Sequence, residues 1–177
     1  MPETPLFLAA ETIHARVHAL AADLDRGGSE SMHLVGVLKG AVMFLADLAR
    51  AMTTPVTIDF ITMSTYEGVQ QAGPPRLLHD VRIPLHGRDV ILVEDIVDSG
   101  RTLRFLQEHL GARSPQRLRT VTLLDKPSRR VVDAAADYIG FSIPDRFVIG
   151  YGLDFEERYR HLPYITELAA EEPQRGV

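Results

Sequence analysis

The segment VILVEDIVDSGRTL, Val90 to Leu103, joins an apolar run to a polar turn and then to a helix-forming sequence. Its first four residues are β-branched or aliphatic, which is typical of a strand buried on both faces of a sheet. Leucines at 103, 106 and 110 continue at helical spacing, and Gly111 is a stop signal, so we predict a helix from about 102 to 110. This strand–turn–helix order favours an α/β fold.

The flanking sequence repeats the alternation of strands and helices. Amphipathic spacing predicts helices over residues 8–24 and 41–52, and a helical turn over 131–136. Apolar or alternating runs predict strands over residues 32–38, 56–63, 118–124, 138–143 and 147–151. We therefore predict a single domain over residues 1–177, with a mostly parallel twisted sheet flanked by helices. In such sheets, ligands bind beyond the carboxyl ends of the strands, where the strand order switches direction.

Composition supports an ordinary globular protein and limits its chemistry. The chain has 177 residues, of which 45% are hydrophobic and 24% charged, and it has no cysteine. A thiolate metal site, a cysteine nucleophile and a disulfide scaffold are thereby excluded. A net charge of −5 and the lack of a long apolar run predict neither a nucleic-acid nor a membrane partner. With no basic start typical of a signal peptide, the chain is expected to be soluble and cytoplasmic.

The turn after the central strand has the composition of an anion site. Ser, Gly and Thr at a helix N-terminus present several backbone N–H groups, which suit a phosphate. The neighbouring carboxylates would repel that phosphate unless they bind sugar hydroxyls or a divalent cation. We therefore predict a phosphorylated ribose and Mg²⁺ as the ligands of Glu94, Asp95, Asp98, Ser99, Gly100, Arg101 and Thr102.

Simpler explanations exist for several of these residues. Asp98 or Ser99 could merely cap the helix, although a cap needs one such residue and this turn has five. His14 and His18 stand four apart but lack an evident third metal ligand. The scattered arginines, including Arg129 and Arg130, favour a solvated surface or a subunit contact over nucleic-acid binding.

The 90–103 segment resembles the phosphoribosyl-pyrophosphate signature of the type I phosphoribosyltransferases. Four further stretches are similar to the hypoxanthine–guanine phosphoribosyltransferases of that family, and they occur in the family's order: residues 38–40 (LKG), 124–127 (LDKP), 139–154 (IGFSIPDRFVIGYGLD) and 158–164 (RYRHLPY). The resemblance spans about residues 34–165. It implies a purine salvage enzyme that transfers a phosphoribosyl group to hypoxanthine or guanine, giving IMP or GMP and pyrophosphate.

The resemblance also implies roles for individual residues. Asp98 matches the family's acid or base at purine N7, and we expect burial among Glu94 and Asp95 to raise its pKa. Purine binding is implied for Lys126, Phe147, Val148 and Asp154, and pyrophosphate binding for Lys39, Gly40 and Arg160. Metal ligation is implied for Glu94, Asp95 and Asp154, directly or through water. Lys126 would donate to the purine O6, since an ammonium has donors only. Read without the resemblance, it is an exposed loop residue, and Phe147 is a core residue.

The same resemblance predicts features of the backbone. The peptide bond between Leu38 and Lys39 is expected to be cis. Thr65 and Tyr66 match a Ser-Tyr pair that begins a mobile loop, at about residues 66–80, which closes over the site and is poorly ordered without ligand. The terminal segments are expected to form a small hood. Departures from the family pattern are Thr65 in place of Ser and Arg101 in place of Lys or Asn.

Partners and rivals follow from this reading. The implied ligands are phosphoribosyl pyrophosphate and a 6-oxopurine, and family members are commonly homodimers or homotetramers. One alternative is an enzyme of the same fold that prefers xanthine or a pyrimidine. Another is a non-catalytic homologue that binds RNA and senses nucleotides, against which Asp98 and the acidic net charge argue.

Overall fold

The structure, a computed structural model, describes residues 6–64 and 76–168. In chain order its elements are β1 (Leu6–Leu8), α1 (Ala10–Asp25), β2 (Met32–Leu38), α2 (Val42–Ala51), β3 (Val56–Ser64), β4 (Arg76–His79), β5 (Asp89–Val97), α3 (Arg101–Gly111), β6 (Arg117–Asp125), a 3₁₀ turn (Pro127–Arg129), β7 (Tyr138–Ser142), β8 (Val148–Ile149) and β9 (Ile165–Glu167). The predicted α/β class is confirmed.

Six strands form the main sheet in the order β4-β3-β2-β5-β6-β7. All neighbours are parallel except β4, which pairs antiparallel with β3 at one edge. The strand order switches direction between β2 and β5, since β3 lies on the far side of β2 and β6 on the far side of β5. This junction is where a parallel sheet opens a crevice for a ligand.

Helices cover both faces of this sheet. On β5, Ile91 and Val93 pack into the cluster that contains α1 and α2, whereas Val90 and Leu92 pack into the cluster that contains α3. All four side chains are fully buried. Strict alternation between two cores is the reason that this strand reads as an unbroken apolar run.

A second sheet of three short antiparallel strands has the order β1-β9-β8. It joins the first described strand of the chain to the last one, through pairs such as Leu8 with Ile165. The hood remains a prediction, and this small sheet is the element that would form it.

Several predicted boundaries needed correction. Strand β5 continues to Val97, so Glu94 and Asp95 are strand residues rather than turn residues. No helical turn forms over residues 131–136, because the backbone turns earlier, at Pro127–Arg129, where the proline ring already has a helical φ. Part of the predicted loop is regular: Arg76–His79 is β4. At three or four residues, β1, β4 and β9 were too short to show a period in the sequence.

Candidate active site

Three sequence-predicted groups meet at the carboxyl edge of the sheet. Lys39 and Gly40 directly follow β2, Asp98 directly follows β5, and Lys126 directly follows β6. Since these strands are parallel neighbours, their last residues lie at the same edge. The Leu38–Lys39 peptide bond is cis, as predicted.

Gly40 lies between two other parts of the site. A Cβ atom on Gly40 would stand 1.7 Å from the Asp95 Oδ2 atom, and a Cβ on Gly152 would stand 2.0 Å from the Gly40 carbonyl oxygen. No side chain fits at either contact. The turn after β2 therefore approaches the Asp95 carboxylate, and the Gly152 backbone approaches that turn, only because both residues are glycines.

Glu94 and Asp95 are adjacent carboxyl groups with little solvent. Glu94 is buried, and its burial, together with the charge of Asp95, raises its pKa well above the usual range. Burial likewise raises the pKa of Asp95 to about 6, against the opposing effects of the Ile96 N–H, which donates to it, and of Arg160. The ionised forms of two such neighbouring groups are disfavoured unless a cation binds them or hydroxyl groups donate hydrogen bonds to them.

The turn over residues 98–102 has the geometry of an anion cradle. Gly100 caps α3 with φ +82°, and a Cβ there would lie 2.8 Å from the Arg130 side chain, so the turn requires glycine. The Arg101 N–H faces the Ser99 hydroxyl at 3.4 Å, and Arg104 makes the first intrahelical bond, to the Gly100 carbonyl. The N–H groups of residues 101–103 therefore have no partner within the helix.

Asp98 does not have the environment that we predicted. Its side chain is 41% exposed, and Arg129 Nε lies 3.1 Å from Asp98 Oδ1. The expected burial among Glu94 and Asp95 is wrong, because Asp98 follows the strand while those two residues belong to it. Arg130 fixes the turn instead: it donates to the Asp98 carbonyl at 2.6 Å and also contacts Asp125.

Lys126 is buried rather than exposed, with 8% of its side chain accessible. Its Nζ atom lies 3.8 Å from Asp145 Oδ1, which is an ion pair but longer than a hydrogen bond. Its backbone N–H donates to the Val97 carbonyl, next to Asp98. A buried ammonium of this kind is available to a ligand oxygen.

Phe147 is 54% exposed and is not a core residue. Its only ring neighbour in the described part of the chain is Phe155, which meets it edge to face with centroids 5.9 Å apart. Val148 is buried and pairs with Glu167 in the small sheet, so that strand holds the exposed ring in place. Asp145, two residues earlier, puts this segment beside Lys126.

A tightly turned segment brings Asp154 and Arg160 to the site. Arg160 donates to the Gly152 carbonyl at 2.7 Å and pairs with Asp154 at 2.8 Å. Glu157 extends the cluster, since it lies 2.9 Å from Lys39 Nζ and 3.4 Å from Arg160. The two predicted pyrophosphate-binding cations are thus joined by one carboxylate.

A metal ion bound at these carboxylates would take most of its ligands from water and substrate rather than from the protein. Within residues 6–64 and 76–168, no group of three or more acidic or histidine side chains could hold an ion alone. Asp154 is already engaged by Arg160 and by the Glu157 N–H. Mg²⁺ usually takes one or two protein carboxylates plus water and substrate phosphates, and the partly buried Asp95 beside Glu94 fits that requirement.

Sequence reasoning missed Asp145 and Glu157, and it assigned Arg129 and Arg130 to a solvated surface or a subunit contact rather than to the site. The two arginines stand three and four residues after Lys126, and that proximity was the available signal. Thr65, Tyr66 and the predicted loop as far as residue 75 lie outside the described residues. No helix in the described chain is long and apolar enough to cross a membrane.

The β2–β5 junction, the acidic pair on β5 and the cradle at α3 define an α/β protein with a candidate anion site at the carboxyl edge of its sheet. A family model described as "Phosphoribosyl transferase domain" matches residues 7–156. The hypoxanthine phosphoribosyltransferase of Salmonella typhimurium is 48% identical over 163 residues, or 87% of this chain and 91% of that protein. The hypoxanthine-guanine phosphoribosyltransferase of Bacillus subtilis is 43% identical over 165 residues, or 92% of each chain.

Solved structures give the same result. A crystal structure of a hypoxanthine-guanine phosphoribosyltransferase from Bacillus anthracis superposes with a TM-score of 0.88 at 43% identity, and covers 93% of this chain and 98% of that one. The chain belongs to the phosphoribosyltransferase family, in its hypoxanthine-guanine branch.

Proposed function

We propose that this protein transfers the 5-phosphoribosyl group of phosphoribosyl pyrophosphate to hypoxanthine or guanine, in purine salvage. One observation carries the proposal: Lys126 is buried at the edge of the sheet that holds the cradle at α3, and Asp145, two residues before the exposed Phe147, pairs with it. The relatives named above carry the names of this activity. The products would be IMP or GMP and pyrophosphate.

The ribose phosphate would lie against the turn of residues 98–102. Its charge would be neutralised by backbone N–H groups at the start of α3 and by the hydroxyls of Ser99 and Thr102. Glu94 and Asp95 would accept hydrogen bonds from the ribose hydroxyls. Accepting such bonds favours the ionised form of these carboxyl groups, which compensates for their burial.

The base would stack on Phe147 and present its 6-oxo group to Lys126. Three N–H donors and no acceptor make this ammonium complementary to a keto oxygen and unsuited to the exocyclic amine of adenine. A site that loses a buried hydrogen bond discriminates strongly against the wrong ligand. The backbone of Val148 and the Asp154 segment would complete base recognition.

Transfer breaks the bond between C1′ and the pyrophosphate oxygen and forms the bond between C1′ and the purine nitrogen. Asp98 would accept the proton at N7, and the ionised carboxylates near the ribose would stabilise positive charge on the sugar. Lys39, the Gly40 backbone and Arg160 would hold the departing pyrophosphate. When bound near Glu94, Asp95 and Asp154, Mg²⁺ would neutralise charge on the pyrophosphate oxygens.

Other parts of the proposal concern the whole molecule. Thr65, Tyr66 and the loop at about residues 66–75 would close over the site and exclude water. The sheet β1-β9-β8 would serve as the hood, and the protein would be a homodimer or homotetramer in the cytoplasm. The absence of cysteine agrees with a reducing compartment.

A spectrophotometric assay tests the proposal directly. The purified protein, with phosphoribosyl pyrophosphate and Mg²⁺, should convert hypoxanthine and guanine and leave adenine and uracil unreacted. Lys126→Met, which keeps the volume but removes the donors, should cut turnover of both purines by at least 10-fold. Turnover of uracil alone, or of no base, would overturn the proposal, and faster turnover of xanthine would favour the xanthine-preferring alternative.

A further inference from the structure

Four charged side chains of alternating sign form a network of ion pairs across the carboxyl edge of the sheet. Arg129 Nε lies 3.1 Å from Asp98 Oδ1, and Arg129 Nη1 lies 3.6 Å from Asp145 Oδ2. The other oxygen of Asp145 lies 3.8 Å from Lys126 Nζ. One end of this network is Asp98 and the other is Lys126. Between them lie Arg129 and Asp145, which have no role in the proposed reaction.

The backbone sets the spacing of the side chains in this network. Arg129 closes the 3₁₀ turn with an N–H bond of 3.0 Å to the Lys126 carbonyl. Both side chains reach Asp145, so Lys126 and Arg129 project to the same side of this turn. Ile143 N–H donates to the Asp125 carbonyl at 2.8 Å, and this bond anchors the segment that carries Asp145 beside them.

The two end residues of the network differ from the two middle residues in what they can offer a ligand. Lys126 is buried, and its distance to Asp145 exceeds that of a hydrogen bond, so Asp145 does not use up its donors. Arg129 and Asp145 are each about half exposed. Arg129 donates to one oxygen of Asp98, and Asp145 makes no hydrogen bond to Lys126, so both end groups keep hydrogen-bonding capacity for a ligand.

We propose that Arg129 and Asp145 are positioning residues that fix the separation between Asp98 and Lys126. The proposal rests on the proposed function, in which these two end groups contact N7 and O6, adjacent positions on one edge of a 6-oxopurine. Arg129 holds the Asp98 carboxylate from one side. Asp145 keeps both cations in place and prevents their repulsion. Removal of either middle residue frees an end group to move, which weakens binding of the base more than binding of the sugar.

The competing explanation is that these are exposed ion pairs of no consequence. Many such pairs contribute almost nothing to stability. That explanation predicts no change in any kinetic constant after substitution. Positioning predicts instead a selective change in the constants for the purine.

Steady-state kinetics on the full-length protein separate the two explanations. Arg129→Gln and Asp145→Asn should each raise the KM for hypoxanthine about 5- to 20-fold and lower kcat, while the KM for phosphoribosyl pyrophosphate stays within twofold. Arg129→Lys, which retains the charge, should recover part of the loss. In the double variant Arg129→Gln/Asp145→Asn, the fold-change in KM for hypoxanthine should be smaller than the product of the two single fold-changes, since both substitutions disrupt the same network.

The controls make every outcome decisive. Arg26→Ala removes an arginine that is more exposed than Arg129, from a surface pair with Asp23, and should leave all constants unchanged. Thermal melting identifies a variant that fails to fold, in which case the other substitution carries the test. Wild-type constants in both variants of an active enzyme would overturn the positioning role alone. A wild-type protein inactive with every base would overturn the proposed function and this role with it.

Discussion

Replacement of Asp95 by asparagine should make the ligand-free protein more stable at pH 8. The pKa of this carboxyl group is raised from 3.8 to about 6, first by burial and further by the nearby Asp154. A carboxyl group with a raised pKa holds its proton more tightly in the folded state than in the unfolded one. Its stabilising effect is therefore complete below pH 3.8 and is lost as the pH rises through about 6.

The size of the effect follows from the same values. At about 1.4 kcal/mol per pH unit, the difference between 3.8 and about 6 corresponds to about 3 kcal/mol. Because Asp95 retains some solvent contact, we expect a gain of about 1–3 kcal/mol for Asp95→Asn at pH 8. Asparagine resembles the protonated acid, so the two proteins should be equally stable near pH 4. A shift of about 2–4 °C in Tm accompanies each kcal/mol at this chain length.

Urea unfolding in EDTA, at intervals from pH 4 to pH 8, measures this difference. Asp59→Asn is the matched control with the opposite sign. Burial would raise the pKa of Asp59, but N–H groups of Ile83, Phe60 and Arg82 outweigh it and hold that pKa below its ordinary value. Asp59→Asn should therefore lose stability, most of all above pH 4. A gain for Asp95→Asn that does not change with pH, or a loss at pH 8, would refute the reasoning.

Three further substitutions test the site's construction. Gly40→Ala puts a methyl group 1.7 Å from a carboxylate oxygen, so it should lower stability by about 1–3 kcal/mol in urea unfolding and remove most of the activity. The control Gly111→Ala, whose methyl group has its nearest contact at 3.9 Å, should lower neither stability nor activity. Glu157→Gln removes the carboxylate that joins two cations, so the KM for phosphoribosyl pyrophosphate should fall about 1.4- to 5-fold in initial-rate measurements; an increase would contradict this. Tyr151→Phe loses the 2.6 Å bond that a buried hydroxyl donates to Asp47 and should lower stability by about 1–2 kcal/mol in urea unfolding; an unchanged midpoint would show that the bond contributes nothing.

The phosphate cradle could be predicted because its elements are local. A strand, a turn with Gly100 and a helix follow one another within residues 90–111, and hydrophobic period and turn residues specify each of them. The buried alternation of β5 is visible in four consecutive apolar residues. Short strands such as β1 and β9 could not be found this way, because three residues show no period and their pairing partner lies at the other end of the chain.

The electrostatics of the site could not be predicted, because they depend on distance in space. We expected Asp98 to be buried, but the longer strand carries Glu94 and Asp95 into the sheet, and burial raises the pKa of those two carboxyl groups. Asp98 instead pairs with Arg129, 31 residues away along the chain. Lys126 is likewise buried beside Asp145, which is 19 residues away along the chain.

The amino-acid sequence by itself determined the class of this protein: an alternating α/β chain with a glycine-containing turn between its central strand and α3, and motifs in the order of one family. Those features are short-range, since periodicity and turn chemistry act over a few residues. Tertiary structure alone decided which charges are buried, which are paired and which glycines are in contact. Desolvation and Coulomb interactions act through space, so Gly40, Asp95 and Gly152 become one site only when the sheet has formed.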